Sequence, residues 1–103
     1  MNQREVSKMK RRVKELQRQL GAVGPVMRGS VVVIGTRTKQ SYLSLNKGGK
    51  TKLIYLGKKR EERAREYVAN YRRLWEIIEE MTILNMELLK DLDRPPEPAV
   101  VAG

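Results

Sequence analysis

The sequence predicts an α+β fold in which an N-terminal helix precedes a three-stranded antiparallel sheet and a long C-terminal helix (α-β-β-β-α). Two stretches with helical spacing of apolar residues flank a central segment in which apolar residues alternate. A Gly-Gly pair inside that segment indicates a tight turn between two strands. We expect the 103 residues to form one domain over 1–94, followed by a disordered tail over 95–103.

The first helix is predicted over residues 2–20. Its apolar residues follow the alternating three- and four-residue spacing of a coiled-coil seam. They are Val6, Met9, Val13, Leu16 and Leu20. Because the seam is shorter than three heptads, this helix is expected to need another surface to pack on.

Three strands are predicted, over residues 30–34, 40–46 and 51–57. The β-branched run at 30–34 is expected to be a buried strand. A two-residue turn at Gly48-Gly49 would set the pairing of the other two strands. The predicted pairs are Lys47 with Lys50, Asn46 with Thr51, Leu45 with Lys52, Ser44 with Leu53, Leu43 with Ile54, and Tyr42 with Tyr55.

This register divides the hairpin into two different faces, because directly opposed residues share a face. An apolar face is expected to cover the core, and it consists of Leu43, Leu45, Ile54 and Leu56. A polar and aromatic face is expected to point away from the core, and it consists of Gln40, Tyr42, Ser44, Asn46, Thr51, Leu53 and Tyr55.

The second helix is predicted over residues 60–92, about 50 Å long at ~1.5 Å per residue. We expect its far half to meet either a second copy of the chain, as a homodimer, or the N-terminal helix. The residues expected in helix packing are Tyr71, Leu74, Ile78, Met81, Asn85 and Leu88. Asn85 either fixes the register of a coiled-coil interface or is partly exposed.

Positive charge is concentrated in the first 60 residues. The chain has a formal net charge of +10, and residues 21–60 contain nine Lys or Arg and no acid. Residues 61–103 contain six Lys or Arg and ten acids. A basic segment of this kind predicts a polyanion partner, with nucleic acid favoured over an anionic membrane. Lysines that protect a sheet edge from aggregation would explain one or two of these charges.

The predicted nucleic-acid site combines a basic set and an uncharged set of side chains. The basic set would contact phosphates, and it consists of Arg37, Lys39, Lys47, Lys50, Lys52, Lys58, Lys59 and Arg60. The uncharged set would enter a groove or stack on bases, and it consists of Gln40, Tyr42, Ser44, Asn46, Thr51 and Tyr55. Simple packing is the alternative role for Tyr42 and Tyr55.

The basic residues of the first helix have two possible roles, to extend the phosphate track or to meet the acidic second helix. They are Lys8, Lys10, Arg11, Arg12, Lys14 and Arg18. The acids that they would meet are Glu76, Glu79, Glu80 and Glu87.

The composition argues against an enzyme. Without Cys or His, the chain has no disulfide, no thiol nucleophile, no Cys/His zinc site and no histidine base. Glu79-Glu80 and Asp91/Asp93 are expected to be solvated surface acids. We therefore expect no cofactor and no metal. With no apolar run near the roughly 20 residues of a membrane span and no signal peptide, the cytoplasm is the expected compartment.

The segments "GPVMRGSVVV", "YLG" and "NYRRLWEIIEEM" resemble a family of small, uncharacterised prokaryotic proteins associated with transposases and other mobile elements. The resemblance covers roughly residues 5–90. It implies DNA binding in a mobile-element or phage context, or docking on a recombinase or transposase. Many relatives carry a Cys-rich insertion between the first two strands, where this chain has only "GTRTKQ", so no zinc role is implied.

The segment "GKTKLIYLG" with the helix after it is similar to the arm-type DNA-binding domain of tyrosine integrases. That similarity implies a three-stranded sheet that enters the major groove and is backed by a helix. Together, these observations favour non-catalytic DNA binding. The alternative is a helical interaction module that docks on a larger partner such as a recombinase.

Overall fold

The α-β-β-β-α order is confirmed by a computed structural model, which describes residues 1–92. The elements are α1 (Gln3–Ala22), β1 (Ser30–Ile34), β2 (Gln40–Lys47), β3 (Lys50–Tyr55) and α2 (Gly57–Leu92). The predicted boundaries differ from these by up to three residues. The tail predicted to be disordered, 95–103, lies outside the described residues.

The chain groups into two compact units. One contains Met1–Gly21 and the part of α2 from Glu76, and the other contains Ala22–Trp75. We call them the helical unit and the sheet unit and describe each by itself.

A capping box starts α1. The Glu5 backbone N–H donates to Asn2 Oδ1 at 2.8 Å, and the Asn2 backbone N–H donates to Glu5 Oε1 at 3.1 Å. These reciprocal bonds satisfy two N–H groups that the helix itself leaves unpaired. The Asn-x-x-Glu spacing at residues 2–5 is the sequence pattern of a capping box. The predicted helix start at residue 2 was not based on this pattern.

In the helical unit, α1 packs with the far half of α2. Leu16 and Ile77 are both fully buried. Arg12 donates two hydrogen bonds to Glu80, from Nε to Oε2 at 2.6 Å and from Nη2 to Oε1 at 2.9 Å. The N-terminal helix is therefore a partner of the far half, and Arg12 meets the acidic helix.

The residues predicted for helix packing are only partly covered. Ile78, Met81 and Leu88 are half-buried in the helical unit and Asn85 is exposed, while Tyr71 and Leu74 are half-buried in the sheet unit. A different set of apolar residues on α2 is exposed to solvent, namely Ile83 (61% exposed), Met86 (55%) and Leu89 (66%). The homodimer stays a prediction.

The sheet has the antiparallel order β1-β2-β3, and the hairpin register is as predicted at all six pairs, from Tyr42–Tyr55 to Lys47–Lys50. Gly48 and Gly49 have φ values of +61° and +78°. Two successive positive φ angles are what a type I′ turn requires, and glycine adopts them without a steric penalty.

The core of the sheet unit lies between the sheet and the first turns of α2. It consists of buried Leu43, Leu56 and Ala64, against which Met27, Val31 and Val68 pack. Leu45 on the predicted core face is half-buried, and Ile54 is 48% exposed. The predicted core face is therefore covered only in part.

Residues 30–34 form a strand as predicted, but the prediction that this strand is buried is wrong. Val33 is 52% exposed and Ile34 is 44% exposed. The cause is the strand order, which places β1 at an edge of the sheet. Among its residues, only Val31 packs against the core cluster.

Two hydrogen bonds attach the connection between α1 and β1 to α2. The Met27 backbone N–H donates to the Tyr67 carbonyl at 3.1 Å, and Asn70 Nδ2 donates to the Pro25 carbonyl at 2.9 Å. The two residues of α2 that make these bonds, Tyr67 and Asn70, lie about one helical turn apart. The connection therefore runs along the surface of α2 before β1 begins.

Gly35 provides a test of the turn that leads from β1 towards β2. Its φ is +138°, and a Cβ there would lie 2.1 Å from the Thr38 carbonyl oxygen. We expect Gly35→Ala to lower the free energy of unfolding by about 1–3 kcal/mol, measured by urea denaturation.

The control is Gly21→Ala, which adds the same methyl group to α1, where nothing lies within 4 Å. It should leave stability unchanged or raise it by up to about 1 kcal/mol. Equal urea midpoints for the two variants would contradict the turn geometry.

Candidate nucleic-acid interface

The side of the sheet opposite Leu43 and Leu56 forms a surface that we call the open face. Since successive residues of a strand point to opposite faces, the register defines its members as four rows across the strands. These rows are Ile34–Gln40, Val32–Tyr42–Tyr55, Ser30–Ser44–Leu53 and Asn46–Thr51. As predicted, the polar and aromatic residues of the hairpin lie on the side away from the core.

The open face is more apolar than predicted. Ile34, Leu53 and Tyr55 are 44%, 52% and 48% exposed, respectively. Val32 and Ile34 were missed because β1 was expected to be buried. None of the residues in the four rows is Lys, Arg, Asp or Glu.

An aromatic pair occupies the middle of the open face. The rings of Tyr42 and Tyr55 meet edge to face, with their centroids 5.6 Å apart and their planes at 70°. The Tyr55 hydroxyl donates to Gln40 Oε1 at 3.1 Å. The packing role is therefore present, while about half of the Tyr55 side chain stays accessible. A stacking role stays a prediction.

The hairpin lysines lie on the other face of the sheet. By register, Lys47, Lys50 and Lys52 share the face of Leu43 and Leu45, and all three are exposed. The structure thus separates two parts of the predicted site, since the uncharged set occupies the open face and these lysines border it from the tip and the β3 edge.

The remaining predicted cations gather at the opposite end of the sheet. Arg37 and Lys39 belong to the connection between β1 and β2, and Lys58, Lys59 and Arg60 belong to the first turn of α2. All five are exposed. They come together because β1 ends, β2 begins and β3 ends at this same end of the antiparallel sheet.

Arg28 adds a cation at the tip end that was not predicted. Its Nη1 donates to the Asn46 carbonyl at 2.9 Å. This bond holds the guanidinium beside the end of β2. The sequence offered no stronger signal than a basic residue shortly before β1.

The arrangement of these charges opposes folding. Lys47 is directly opposite Lys50, and like charges at such positions destabilise a hairpin. The first turn of α2 contains no acid, although the positive end of the helix dipole favours acids there. An anion bound at either end of the sheet would relieve this repulsion.

The first acid after the basic segment, Glu61, is engaged on the core side. Ser41 Oγ donates to Glu61 Oε1 at 2.6 Å, and Arg65 Nε donates to Glu61 Oε2 at 2.9 Å. The hydrogen bond from Ser41, and then that from Arg65, lower the pKa of Glu61. Ser41 is buried and also accepts the Leu56 backbone N–H at 2.9 Å, so this network ties β2 to the start of α2.

Comparison with protein-family models, curated proteins and solved structures finds no match. The two resemblances noted in the sequence therefore stay predictions. Over residues 1–92, neither helix has an apolar stretch long enough to cross a bilayer. The same described part of the chain contains no cluster of three acidic, His or Cys side chains that would hold a metal ion.

The Glu61 network predicts a specific pH response. Because folding lowers the pKa of Glu61, its ionised form stabilises the fold above the ordinary pKa of 4.5, and this contribution is lost as the pH falls through the lowered pKa. Ser41→Ala should raise the pKa of Glu61 towards 4.5, which carboxyl chemical shifts followed by NMR would measure.

The control is Ser44→Ala, which removes the same hydroxyl group from the opposite face of β2. It should leave the Glu61 titration as in the wild type. An unchanged Glu61 titration in Ser41→Ala would show that Ser41 does not hold the carboxylate in solution.

Proposed function

We propose that this chain is a non-catalytic nucleic-acid-binding protein of the cytoplasm, with DNA favoured over RNA, and that its sheet unit is the binding surface. The observation that carries the proposal is an exposed, uncharged face between two groups of exposed cations. One group is at the hairpin tip and the other is where β1 and β3 end.

The distribution of charge supports a polyanion as the ligand. The sheet unit has no acid before Glu61, and that carboxylate is bonded to Ser41 and Arg65. A phosphate backbone would neutralise the repulsion within each group of cations and release counterions. Contacts from all eight predicted basic residues would give a slope of log affinity against log salt of about −7 for duplex DNA.

The biological context that we propose rests on the sequence resemblance. A protein of a mobile element or phage that binds DNA would act beside a recombinase or transposase, and such an enzyme is the proposed protein partner. The fold fits this role, because an antiparallel sheet backed by one helix is what the similarity to arm-type domains implies.

A second candidate function is protein–protein interaction through the helical unit. Ile83, Met86 and Leu89 are each more than half exposed and lie within two turns of α2. An apolar helix face of this kind favours a second copy of the chain or a larger partner such as a recombinase. This function is compatible with nucleic-acid binding by the sheet unit.

The double variant Lys50→Glu/Lys58→Glu separates binding from stability. It replaces a like-charge pair at the hairpin tip with an attractive one and puts an acid at the N-terminus of α2, where the helix dipole favours it. We expect equal or higher stability, at least tenfold weaker DNA binding at about 0.1 M salt, and a salt slope smaller in magnitude by about 2.

The matched control is Arg4→Glu/Lys90→Glu, which changes the net charge by the same amount at two exposed positions of the helical unit that belong to neither predicted basic set. It should bind DNA within about threefold of the wild type when measured by fluorescence anisotropy. Equal losses in both variants would show that only the overall charge matters. Absence of binding to DNA and RNA at low salt would refute the proposed function.

The helical candidate predicts a change of mass in solution. Ile83→Asp/Leu89→Asp should convert a dimer to a monomer, because two charges would be placed in an apolar contact. Light scattering at high protein concentration measures the mass, and Glu79→Asp on the same helix is the control. A monomeric wild type would refute the homodimer and leave a larger partner as the only occupant for this face.

A further inference from the structure

We infer that the open face binds the bases of a single strand of nucleic acid rather than the groove of a duplex. This inference rests on the proposed function and specifies its ligand. It is carried by three features of the sheet unit: the chemistry of the rows, the distance between them and the position of the cations.

The chemistry of the two central rows suits base rings. One row contains Val32, Tyr42 and Tyr55, and the next contains Ser30, Ser44 and Leu53. Reading a duplex groove uses hydrogen-bonding side chains, above all Arg, Lys, Asn and Gln, whereas apolar and aromatic surfaces stack on unpaired bases. Here Tyr55 and Leu53 are each about half exposed, and the polar amides of Gln40 and Asn46 are confined to the outer rows.

The distance between rows disagrees with a stacked duplex. Side chains on one face of a strand recur every two residues, so successive rows lie ~7 Å apart. Stacked bases along one strand of B-DNA are ~3.4 Å apart. Bases seated on successive rows must therefore be unstacked from each other, which a single strand permits at far lower cost than a duplex.

Cations lie at both ends of the open face, where the backbone of such a strand would enter and leave. Lys47 and Lys50 belong to the opposite face by register and would reach the backbone around the hairpin tip. The eight residues of β2 span ~26 Å at ~3.3 Å per residue, with Lys39 before the strand and Lys47 at its end. Arg28 and Lys50 add to the tip end, and Arg37 and Lys58 add to the other end. With four rows between the two ends, the face accommodates about four nucleotides.

Tyrosine variants test this arrangement by fluorescence anisotropy with two labelled probes, an oligothymidylate of roughly 12 nucleotides and a mixed-sequence duplex of the same length. We expect the single strand to bind at least tenfold tighter than the duplex. Tyr55→Leu should weaken single-strand binding by about 5- to 150-fold, because leucine keeps the apolar volume and removes the ring. Tyr55→Phe, which keeps the ring, should bind almost as the wild type does.

Tyr71→Leu supplies the matched control, because it makes the same chemical change on α2, where Tyr71 contacts Trp75 rather than the open face. It should leave single-strand affinity unchanged. Circular dichroism and urea midpoints establish that each variant folds. Since Tyr55 is 48% exposed, its replacement by leucine is not expected to unfold the sheet.

The outcomes separate this inference from the proposed function. Tighter duplex binding, together with no effect of Tyr55→Leu on either probe, would overturn the single-strand inference and leave nucleic-acid binding in place. An equal loss of single-strand affinity in Tyr55→Leu and Tyr55→Phe would overturn stacking on Tyr55, because only the phenylalanine variant keeps the aromatic ring. No binding to either probe at low salt would overturn both proposals.

Discussion

The pairing of β2 with β3 across Gly48-Gly49 is the constraint on which the sheet unit depends. A shift of one residue would exchange the two faces, so that Tyr42 and Tyr55 would turn towards α2 while Leu43 and Leu56 would meet water. The two positive φ angles of the turn exclude that shift, because they fix which residues face each other across the loop. Core formation and the open face are thus consequences of one local turn.

The small core explains why so much of the sheet is available. Only Leu43, Leu56 and Ala64 are buried in the cluster beneath it, and both outer strands are edges. The hydrogen bonds of Ser41 and Leu56 strengthen this attachment at the point where β2 reaches α2. These contacts between the sheet and α2 lie on the core side, whereas the side-chain contacts described on the opposite side are the tyrosine pair and the Tyr55–Gln40 hydrogen bond. Such a surface is available for a ligand without loss of structure.

The sequence was sufficient for features that are local and insufficient for those that depend on which surfaces meet. The order of elements and the hairpin register follow from alternation and from a Gly-Gly turn, which involve neighbouring residues only. The exposure of Val33 and Ile34 depends on the place of β1 at a sheet edge, with Ile34 on the open face, and strand propensity carries no information about that. Likewise, the seam placed Ile78 inside, whereas Ile77 is the fully buried residue, and one residue corresponds to a rotation of ~100°. The faces of the hairpin followed from its register, but the sequence argument did not anticipate that Lys47, Lys50 and Lys52 lie on the face opposite the uncharged set, and the binding role of both sets stays a prediction.

The cations of the two units have different surroundings. This difference says more about which unit would bind an anionic ligand than the net charge of the chain does. In the helical unit, Arg12 is bonded to Glu80 and Arg18 to Glu15, and the bonds from Arg18 and Gln19 lower the pKa of Glu15 to about 2. Those cations are matched by acids that the same unit supplies. In the sheet unit, Lys47 faces Lys50, and three cations crowd the start of α2 without an acid in that turn. Repulsion that folding creates and does not neutralise favours a ligand that brings negative charge. Because the uncharged open face lies between these cations, the nucleic acid that we propose as the ligand would contribute bases that pack against tyrosine and leucine as well as phosphates that neutralise the charge.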